Sequence, residues 1–567
     1  MTIEQLPPGL ILIAGGLALP FISRWWRSVL VLGLPLVALW LVWQIPNGTS
    51  LATPFLGYEL QIVKADKLAR LFATVFCIMA FAGGMFAFRQ AKPFELSAAF
   101  FYAGSALGVV FAGDLITVFV FWELMALGST LVIWSVGNER ARKAGTRYIL
   151  MHLFGGVLLM AGIIDYAAAT NSISFGAGAF HEFPGTDRPG TWLILAGFLI
   201  NAGAVPLSAW LPDAYPETSP SGMVFLSAFT TKTAVFVLLR SYQGFDILIW
   251  IGLAMVFYGI IYALLENDMR RILAYSIINQ VGFMVTGIGI GTEMALNGAA
   301  SHAFTHIIYK ALLLMSAGSV LHMTGKRKCT DLGGLYQSMP ITAACGIIGA
   351  LAISSFPLTS GFVSKSMVSQ SAIDQHLAVV WFLLAAASAG VFLHAGIKFP
   401  WFVFFQKDSG LRPSDPPWNM RLAMIFLAFL CIFIGVWPEP FYDLLPFQVA
   451  YKPYTGAHVL EMTQLLLFSG LAFFILLPLM KRTLTISLDA DWFWRRFGSA
   501  LAREFALHGG KARRLTAIHI QKRLSQLLGT VFHFHGPKGV LARTWATGST
   551  ALVILLLLAG YLVAYFT

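Results

Sequence analysis

His302-Ala303-Phe304-Thr305-His306-Ile307-Ile308-Tyr309-Lys310 lies inside a run, residues 295–323, that is otherwise mainly apolar and small. A membrane span needs about 20 mainly apolar residues, so this run is long enough to cross. His302, His306 and Lys310 recur every four residues and fall on one face of a helix. An ionisable side chain at mid-span costs about 2.5–3.5 kcal/mol on insertion scales, so that face must look into protein and not into lipid. A helix of this kind needs many neighbours, and the stretch therefore predicts a bundle of membrane helices around a polar interior.

The rest of the chain supplies those neighbours. Of 567 residues, 57% are hydrophobic and 11% charged, and the mean hydropathy is +0.74. Soluble domains carry about 25% charged residues. A water-soluble fold of this size has no way to hide so much apolar surface, which leaves the membrane class. Sixteen segments qualify as spans, near 7–23, 28–45, 67–88, 95–112, 115–136, 146–168, 191–209, 220–241, 247–265, 272–291, 295–323, 340–369, 377–405, 420–440, 461–480 and 547–566. The apolar N-terminal segment lacks an A-x-A-like cleavage site and is read as a span, not a removable signal.

Arg and Lys concentrate in alternate loops: Arg24 and Arg27; Arg89 and Lys92; Arg140, Arg142, Lys143 and Arg147; Arg270 and Arg271; Lys326, Arg327 and Lys328; Lys407, Arg412 and Arg421. The positive-inside rule makes these loops cytoplasmic and places both termini outside, in the inner membrane of a bacterium. Lys64, Lys67 and Arg70 depart from the pattern. Segment 481–545 holds 12 Lys and Arg against 3 Asp and Glu, nine of the chain's net +12. Around Trp492–Leu507 its apolar and basic residues alternate at helical spacing. It reads as a cytoplasmic amphipathic helix lying on anionic lipid or along neighbouring subunits. The basic balance thus carries no implication of nucleic-acid binding.

Two spans carry a matching interruption. Ala204-Val205-Pro206-Leu207-Ser208 breaks the seventh and Ser355-Phe356-Pro357-Leu358-Thr359 the twelfth. A mid-span proline removes a backbone hydrogen bond and breaks a helix. Interrupted spans in corresponding positions of two halves mark a duplicated transporter fold with its ion site at the breaks. An offset of five spans, being odd, suits inverted halves.

Further ionisable residues fall deep in spans: Glu123 in the fifth, Lys232 in the eighth, Lys365 just past the second break, and His394 with Lys398 in the thirteenth. Burial disfavours the charged form of such groups, and a neighbouring charge tips the balance, so each becomes able to hold or release a proton. Histidine titrates near neutrality and bridges such sites. This pattern predicts a proton pathway through Glu123, Lys232, His302, His306, Lys310, Lys365 and His394. Lys398 either joins it or snorkels to the cytoplasmic face. A metal at His302 and His306 would lack a carboxylate and face Lys310, so no metal is expected. Cys77, Cys329, Cys345 and Cys431 show no ligand or disulfide spacing, and no Gly-rich phosphate loop follows a strand. No cofactor is expected.

Trp210-Leu-Pro-Asp-Ala-Tyr, Arg271-Ile-Leu-Ala-Tyr-Ser, His302-Ala-Phe-Thr-His-Ile-Ile-Tyr-Lys, Gly333-Gly-Leu and Gly361-Phe-Val-Ser-Lys together resemble the antiporter-like membrane subunits. That family is shared by respiratory complex I and the Mrp-type Na+/H+ antiporters. The resemblance covers roughly residues 60–405, and the region from Phe399 to Trp494 looks most like the D-type component of Mrp antiporters. It implies an all-α polytopic protein of about 16 transmembrane helices with two inverted five-helix repeats, broken helices and a cytoplasmic amphipathic segment. The chain would divide into N-terminal helices (1–112, with 95–112 opening the first repeat), the rest of the first repeat (113–241), the second repeat (242–406), C-terminal helices (407–480), the basic segment (481–545) and a final helix (546–567).

The implied function is proton translocation within a multisubunit complex beside other membrane subunits. Exchange against Na+ rests on the resemblance alone. Any NADH:quinone oxidoreductase-type activity would belong to the whole assembly. A bicarbonate-uptake or membrane-hydrogenase assembly, served by an energy-coupling or scaffold subunit with one half-channel disabled, is the alternative. One departure matters here. The family has a lysine five residues before the first-break proline, paired with the fifth-span glutamate; this chain has Asn201. Ser208 also stands where a histidine is usual. Asn201 forms hydrogen bonds but carries no proton charge. Glu123 must then find another partner, Lys232 being the candidate, or be protonated at rest.

Overall fold

The computed structural model describes residues 5–55, 57–176, 188–478, 489–490, 492, 494–536, 539 and 547–566. Two compact units emerge, Met1–Asp489 and Ala490–Thr567. The first begins with α1 (Pro8–Ala18) and α2 (Arg24–Gln44), followed by a hairpin of β1 (Gly48–Phe55) and β2 (Tyr58–Ala65). Then come α3 (Lys67–Ala87), α4 (Pro93–Phe111), α5 (Leu115–Trp134) and α6 (Glu139–Thr170). α7 (Pro189–Ala202) leads through a break to the short α8 (Trp210–Ala214), and α9 (Pro220–Ala228) runs almost directly into α10 (Thr230–Ser241). α11 (Ile247–Leu265), α12 (Met269–Ile290) and α13 (Glu293–Thr324) follow. The unit closes with α14 (Pro340–Ile353), α15 (Ser360–Asp374), α16 (Ala378–Val391, continued as wide π-helical turns to Phe405), α17 (Trp418–Val436), α18 (Glu439–Tyr442) and α19 (Gly456–Leu476).

Local sequence explains these boundaries. Pro93, Pro189, Pro220 and Pro340 open helices where no amide donor is needed. Asp66, Asp114, Asn138, Asp268 and Thr292 cap N-termini by accepting a backbone N–H of the first turn. Gly291 and Gly325 end α12 and α13 with φ of 75° and 68°, the left-handed region that glycine enters freely.

The chain is a multi-pass membrane protein of the all-α class. Among the described residues thirteen helices are long and apolar enough to cross, and the bent pair Pro189–Ala202 with Leu207–Glu217 makes a fourteenth. Sixteen spans were expected. The remaining two correspond to shorter apolar helices, Pro8–Phe21 and Pro340–Ile353. In the second case the break at 354–359 divides the expected span into α14 and α15. The β1–β2 hairpin was not expected at all. It pairs Gly48 with Ala65 through Phe55 with Tyr58, and Asp114 holds it by accepting from the Gln61 N–H at 2.7 Å.

α13 runs through the middle of the unit, its residues 295–320 all buried, and packs against α12, α14, α15, α9 and α17. The two breaks lie on either side of it in sequence. The first follows Gly203 (φ 81°) and contains Pro206; the helical path bends by 42° there. The second contains Pro357, flanked by Ser355 and Leu358 at φ of 59° and 68°. A Cβ on Gly361 would overlap the Ala352 carbonyl, so only glycine lets α15 start so close to the end of α14.

At one end of the unit ionic contacts fix the segment after the first break. Arg147 forms a fork with Asp213 at 2.6 and 2.9 Å. Buried Arg270 donates to the carbonyls of Pro216, Thr218 and Ser219. Arg327 joins Glu217 and Asp268 at 3.0 and 2.8 Å. Burial pushes the Asp268 carboxyl above the usual carboxylate range while Arg327 pulls it down.

The second unit holds α20 (Ser499–His535), preceded by a π-turn at Trp494–Gly498, and α21 (Thr547–Phe566). Of the helix expected around Trp492–Leu507, residues 499–507 open this 37-residue helix and 494–498 form the π-turn before it; residue 493 and, of the basic segment, residues 481–488 lie outside the described residues. α21 is apolar throughout and exposed.

Candidate functional site

The interior of the first unit gathers most of the predicted residues around α13. Lys232, His302, His306, Lys310 and His394 are fully buried, and Lys365 is 2% exposed. Electrostatic contact links them into one row. His302 feels Lys365 and Lys232; His306 feels Lys232, Lys310 and His302; His394 feels Lys310 and Lys365.

Most members sit where a helix irregularity or a polar neighbour receives them. Lys232 occupies the α9–α10 junction and donates to the Ser227 carbonyl at 2.7 Å and the Thr231 hydroxyl at 3.1 Å. Lys310 donates to Ser276 Oγ at 2.8 Å. The Gln280 side-chain oxygen receives His302 Nε2 and the Tyr309 hydroxyl, each at 3.1 Å. This contact makes Nε2 the protonated nitrogen of a neutral His302, with Nδ1 turned toward Ser364 Oγ at 3.5 Å. Both ring nitrogens of His306, Nε2 of His394 and Nζ of Lys365 have no hydrogen-bond partner. The Lys365 Nζ lies 4.1 Å above the Phe283 ring, a cation–π contact. His394 is carried by the π-turn Phe392–Lys398, its Nδ1 against the Gly390 carbonyl at 2.8 Å.

Among the described residues no carboxylate enters this row. Three ammonium groups in one dry interior would repel and each would lose hydration worth several kcal/mol. The row therefore holds only part of its possible charge at a time.

Lys365 also borders a cavity of about 50 Å³, room for a few waters. Ser366, Gln370, Tyr451, His458 and Glu461 complete its polar wall. The His458 ring stacks on Phe362 at 4.5 Å.

Three expectations change. Glu123 does not pair with Lys232: among the described residues it forms no ion pair, and one of its carboxylate oxygens is buried without a partner. Lys232 has turned to the freed Ser227 carbonyl instead. The Glu123 carboxyl rests in a notch on α6, where a Cβ on Gly156 would overlap it. Lys398 does not snorkel; it is buried at the end of the row, where it acts on His394 alongside Lys310 and Lys365. Its Nζ bonds the carbonyls of Ala263, Leu264 and Glu266 at 3.0, 2.6 and 2.7 Å, closing the C-terminus of α11. Asn201 is fully buried at the end of α7, and both atoms of its side-chain amide lack partners.

Sequence reading missed Gln280, Ser276, Ser364, Tyr309, Ser227 and Thr231. Gln280, in Asn279-Gln280 of an apolar span, carried the one usable signal: an amide that a membrane helix buries only with a partner.

Residues 112–392, about half of the chain, match the family described as NADH:quinone oxidoreductase/Mrp antiporter, TM. The chain belongs to this antiporter-like family, as the motifs led us to expect. It is 28% identical over 400 residues to the D component of the Na(+)/H(+) antiporter of Alkalihalophilus pseudofirmus, covering 66% of this chain and 81% of that one. It is 32% identical over 357 residues to the A/B component of a probable K(+)/H(+) antiporter of Rhizobium meliloti, covering 59% of this chain but only 36% of that longer one. Among solved structures, the Mrp complex of Dietzia sp. contains a chain of the same fold, with a TM-score of 0.75 at 22% identity over 99% of this chain and 62% of that one. Lys232, His302, His306, Lys310 and Lys365 lie within the stretch that matches the family, and His394 lies just beyond it.

Proposed function

We propose that this antiporter-like chain moves protons across the membrane as one subunit of a larger assembly. The observation that carries the reading is the row itself: Lys232, His306, His302, Lys310, Lys365 and His394 are buried together, without a carboxylate, and several of their nitrogens are unpartnered. A static structural network would satisfy those atoms. A relay leaves them free to be protonated in turn. The water cavity at Lys365 supports one exit to the outer side, and the two broken helices five spans apart support two inverted halves. The same reading places the chain in a bacterial inner membrane, with 481–545 on the cytoplasmic side against anionic headgroups. The names of the relatives favour exchange of a monovalent cation by the whole assembly.

The test is proton flux in proteoliposomes holding the intact assembly. Lys310→Ala and Lys365→Ala should each reduce flux at least tenfold. Undiminished flux in both, with the assembly intact, ends the relay reading.

A second reading, a first half that no longer conducts, is favoured by Asn201 with both amide atoms unpartnered and by the unpaired Glu123. Asn201→Lys decides. New flux would mark a restored path; unchanged or lower flux would mark a path already working without that lysine.

A further inference from the structure

The junction between α9 and α10 poses a question that the proton row leaves open: why does a run of apolar and threonine residues, 220–241, with no proline or glycine near residue 229, stop being a helix there? In an unbroken helix the Thr230 N–H would bond the Leu226 carbonyl and the Thr231 N–H the Ser227 carbonyl. Here the Thr230 N–H bonds the Tyr102 hydroxyl of α4 at 2.8 Å. Phe229 takes φ −101°, ψ −65°, and the ladder resumes at Lys232 and Thr233, whose N–H groups both reach the Phe229 carbonyl at 3.0 and 2.8 Å. The Ser227 carbonyl, freed from its helical role, is the one that receives Lys232 Nζ.

A side chain inserted into a helical ladder is one of the few physical causes of a sharp break. Tyr102 is fully buried, its hydroxyl sits 3.5 Å from the Leu226 carbonyl, and it bonds Thr230 Oγ1 at 2.6 Å. Thr230 Oγ1 meets the Tyr148 hydroxyl of α6 at 3.3 Å, and Tyr148 donates to Ser129 Oγ of α5 at 3.0 Å. Four helices thus converge on one threonine, and their hydroxyls have a consistent order: Tyr102 to Thr230, Thr230 to Tyr148, Tyr148 to Ser129, Ser129 to the Met125 carbonyl at 2.8 Å. The Tyr102 ring meets Phe229 edge-on at 5.1 Å, which holds the hydroxyl at the break.

We propose that Tyr102 is a positioning residue for Lys232: its hydroxyl wedges the α9–α10 helix open and so exposes the Ser227 carbonyl that Lys232 needs. The proposal rests on Lys232 being part of a proton row. Without the wedge the Thr230 N–H returns to Leu226, Ser227 returns to Thr231, and Lys232 loses its acceptor beside a row that, among the described residues, holds no carboxylate.

The experiment uses the intact assembly with Tyr102→Phe, which removes one oxygen and keeps the ring. Two readouts are taken: hydrogen–deuterium exchange of the peptide spanning 226–233, and proton flux. Exchange should slow by at least tenfold as the helix closes, and flux should fall by at least tenfold. Thr230→Val, which keeps the N–H bond to Tyr102, should keep flux within about twofold of the natural chain. The wedge is overturned by unchanged exchange in Tyr102→Phe, by unchanged flux, or by a tenfold loss in Thr230→Val. That last result would assign the role to the hydroxyl chain itself. Lys310→Ala and Lys365→Ala are run alongside. If both keep natural flux, the proton reading has failed, while exchange still judges the wedge independently.

Discussion

Gln280 is the point at which the row is most open to a small chemical change. Its side-chain oxygen holds His302 Nε2 and the Tyr309 hydroxyl at 3.1 Å each, and its amide donates to Asn279. Gln280→Glu keeps the size and the accepting oxygen but adds a negative charge. At 3.1 Å a proton on His302 would gain about 5 kcal/mol from that charge at an effective dielectric constant of about 20. Desolvating the new carboxylate and losing the bond to Asn279 offset part of this. A net of about 2–3 kcal/mol corresponds to a roughly 30- to 150-fold slower release of the proton. Flux in proteoliposomes, followed with a pH-sensitive dye trapped inside, should fall by that order while the assembly purifies normally. If Gln280→Glu conducts within about twofold of the natural chain, in a preparation where Lys310→Ala does not, then His302 is not on the path. The relay would have to run from Lys232 through His306 to Lys310 alone.

Three other outcomes follow from the geometry. Gly156→Ala should push the Glu123 carboxyl out of its notch and lower first-half flux about tenfold, and adding the shorter Glu123→Asp should recover most of it in the same assay. Lys398→Met strips three carbonyls at the end of α11 of their donor, a loss of about 3 kcal/mol or more. It should lower the apparent Tm by about 2–3 °C, at roughly 1 °C per kcal/mol for a chain of 567 residues, yet leave flux per folded molecule within about twofold. Gln370→Cys, in the wall of the cavity beside Lys365, should react with a membrane-impermeant thiol reagent from the outer side only. The four native cysteines are buried and give little background; labelling only from the opposite side would reverse the assigned direction of the exit.

What could be seen in the sequence and what could not follow from how far each signal reaches along the chain. Helix positions and the face shared by His302, His306 and Lys310 are local, set by apolar runs and four-residue spacing, and the structure places them accordingly. Pro206 and Pro357 stand at the two interruptions for the same local reason. The α9–α10 break has no local cause: it comes from Tyr102, more than a hundred residues earlier. The β1–β2 hairpin escaped because Leu51–Phe55 and Leu60–Val63 are short runs with an irregular register, held by Asp114 from another part of the chain. The surroundings of Glu123 and Lys398 escaped for a related reason. A buried charge announces that it needs a partner, but not whether that partner is a side chain or a freed backbone carbonyl; Lys232 and Lys398 both chose carbonyls.

The buried row is built from nitrogen. Amines and imidazoles carry a proton as an N–H bond and pass it on by changing hydrogen-bond partners. An alkali cation instead needs several oxygens to replace its shell of water. Along Lys232, His306, His302 and Lys310 the Ser227, Ser276 and Gln280 oxygens already serve as acceptors to Lys232, Lys310, His302 and Tyr309, and ammonium groups repel a second positive ion. On the proposed relay, the chemistry of the row also sets its selectivity: a proton can travel as part of a covalent bond, whereas any metal ion exchanged by such an assembly would need a separate road lined with oxygen.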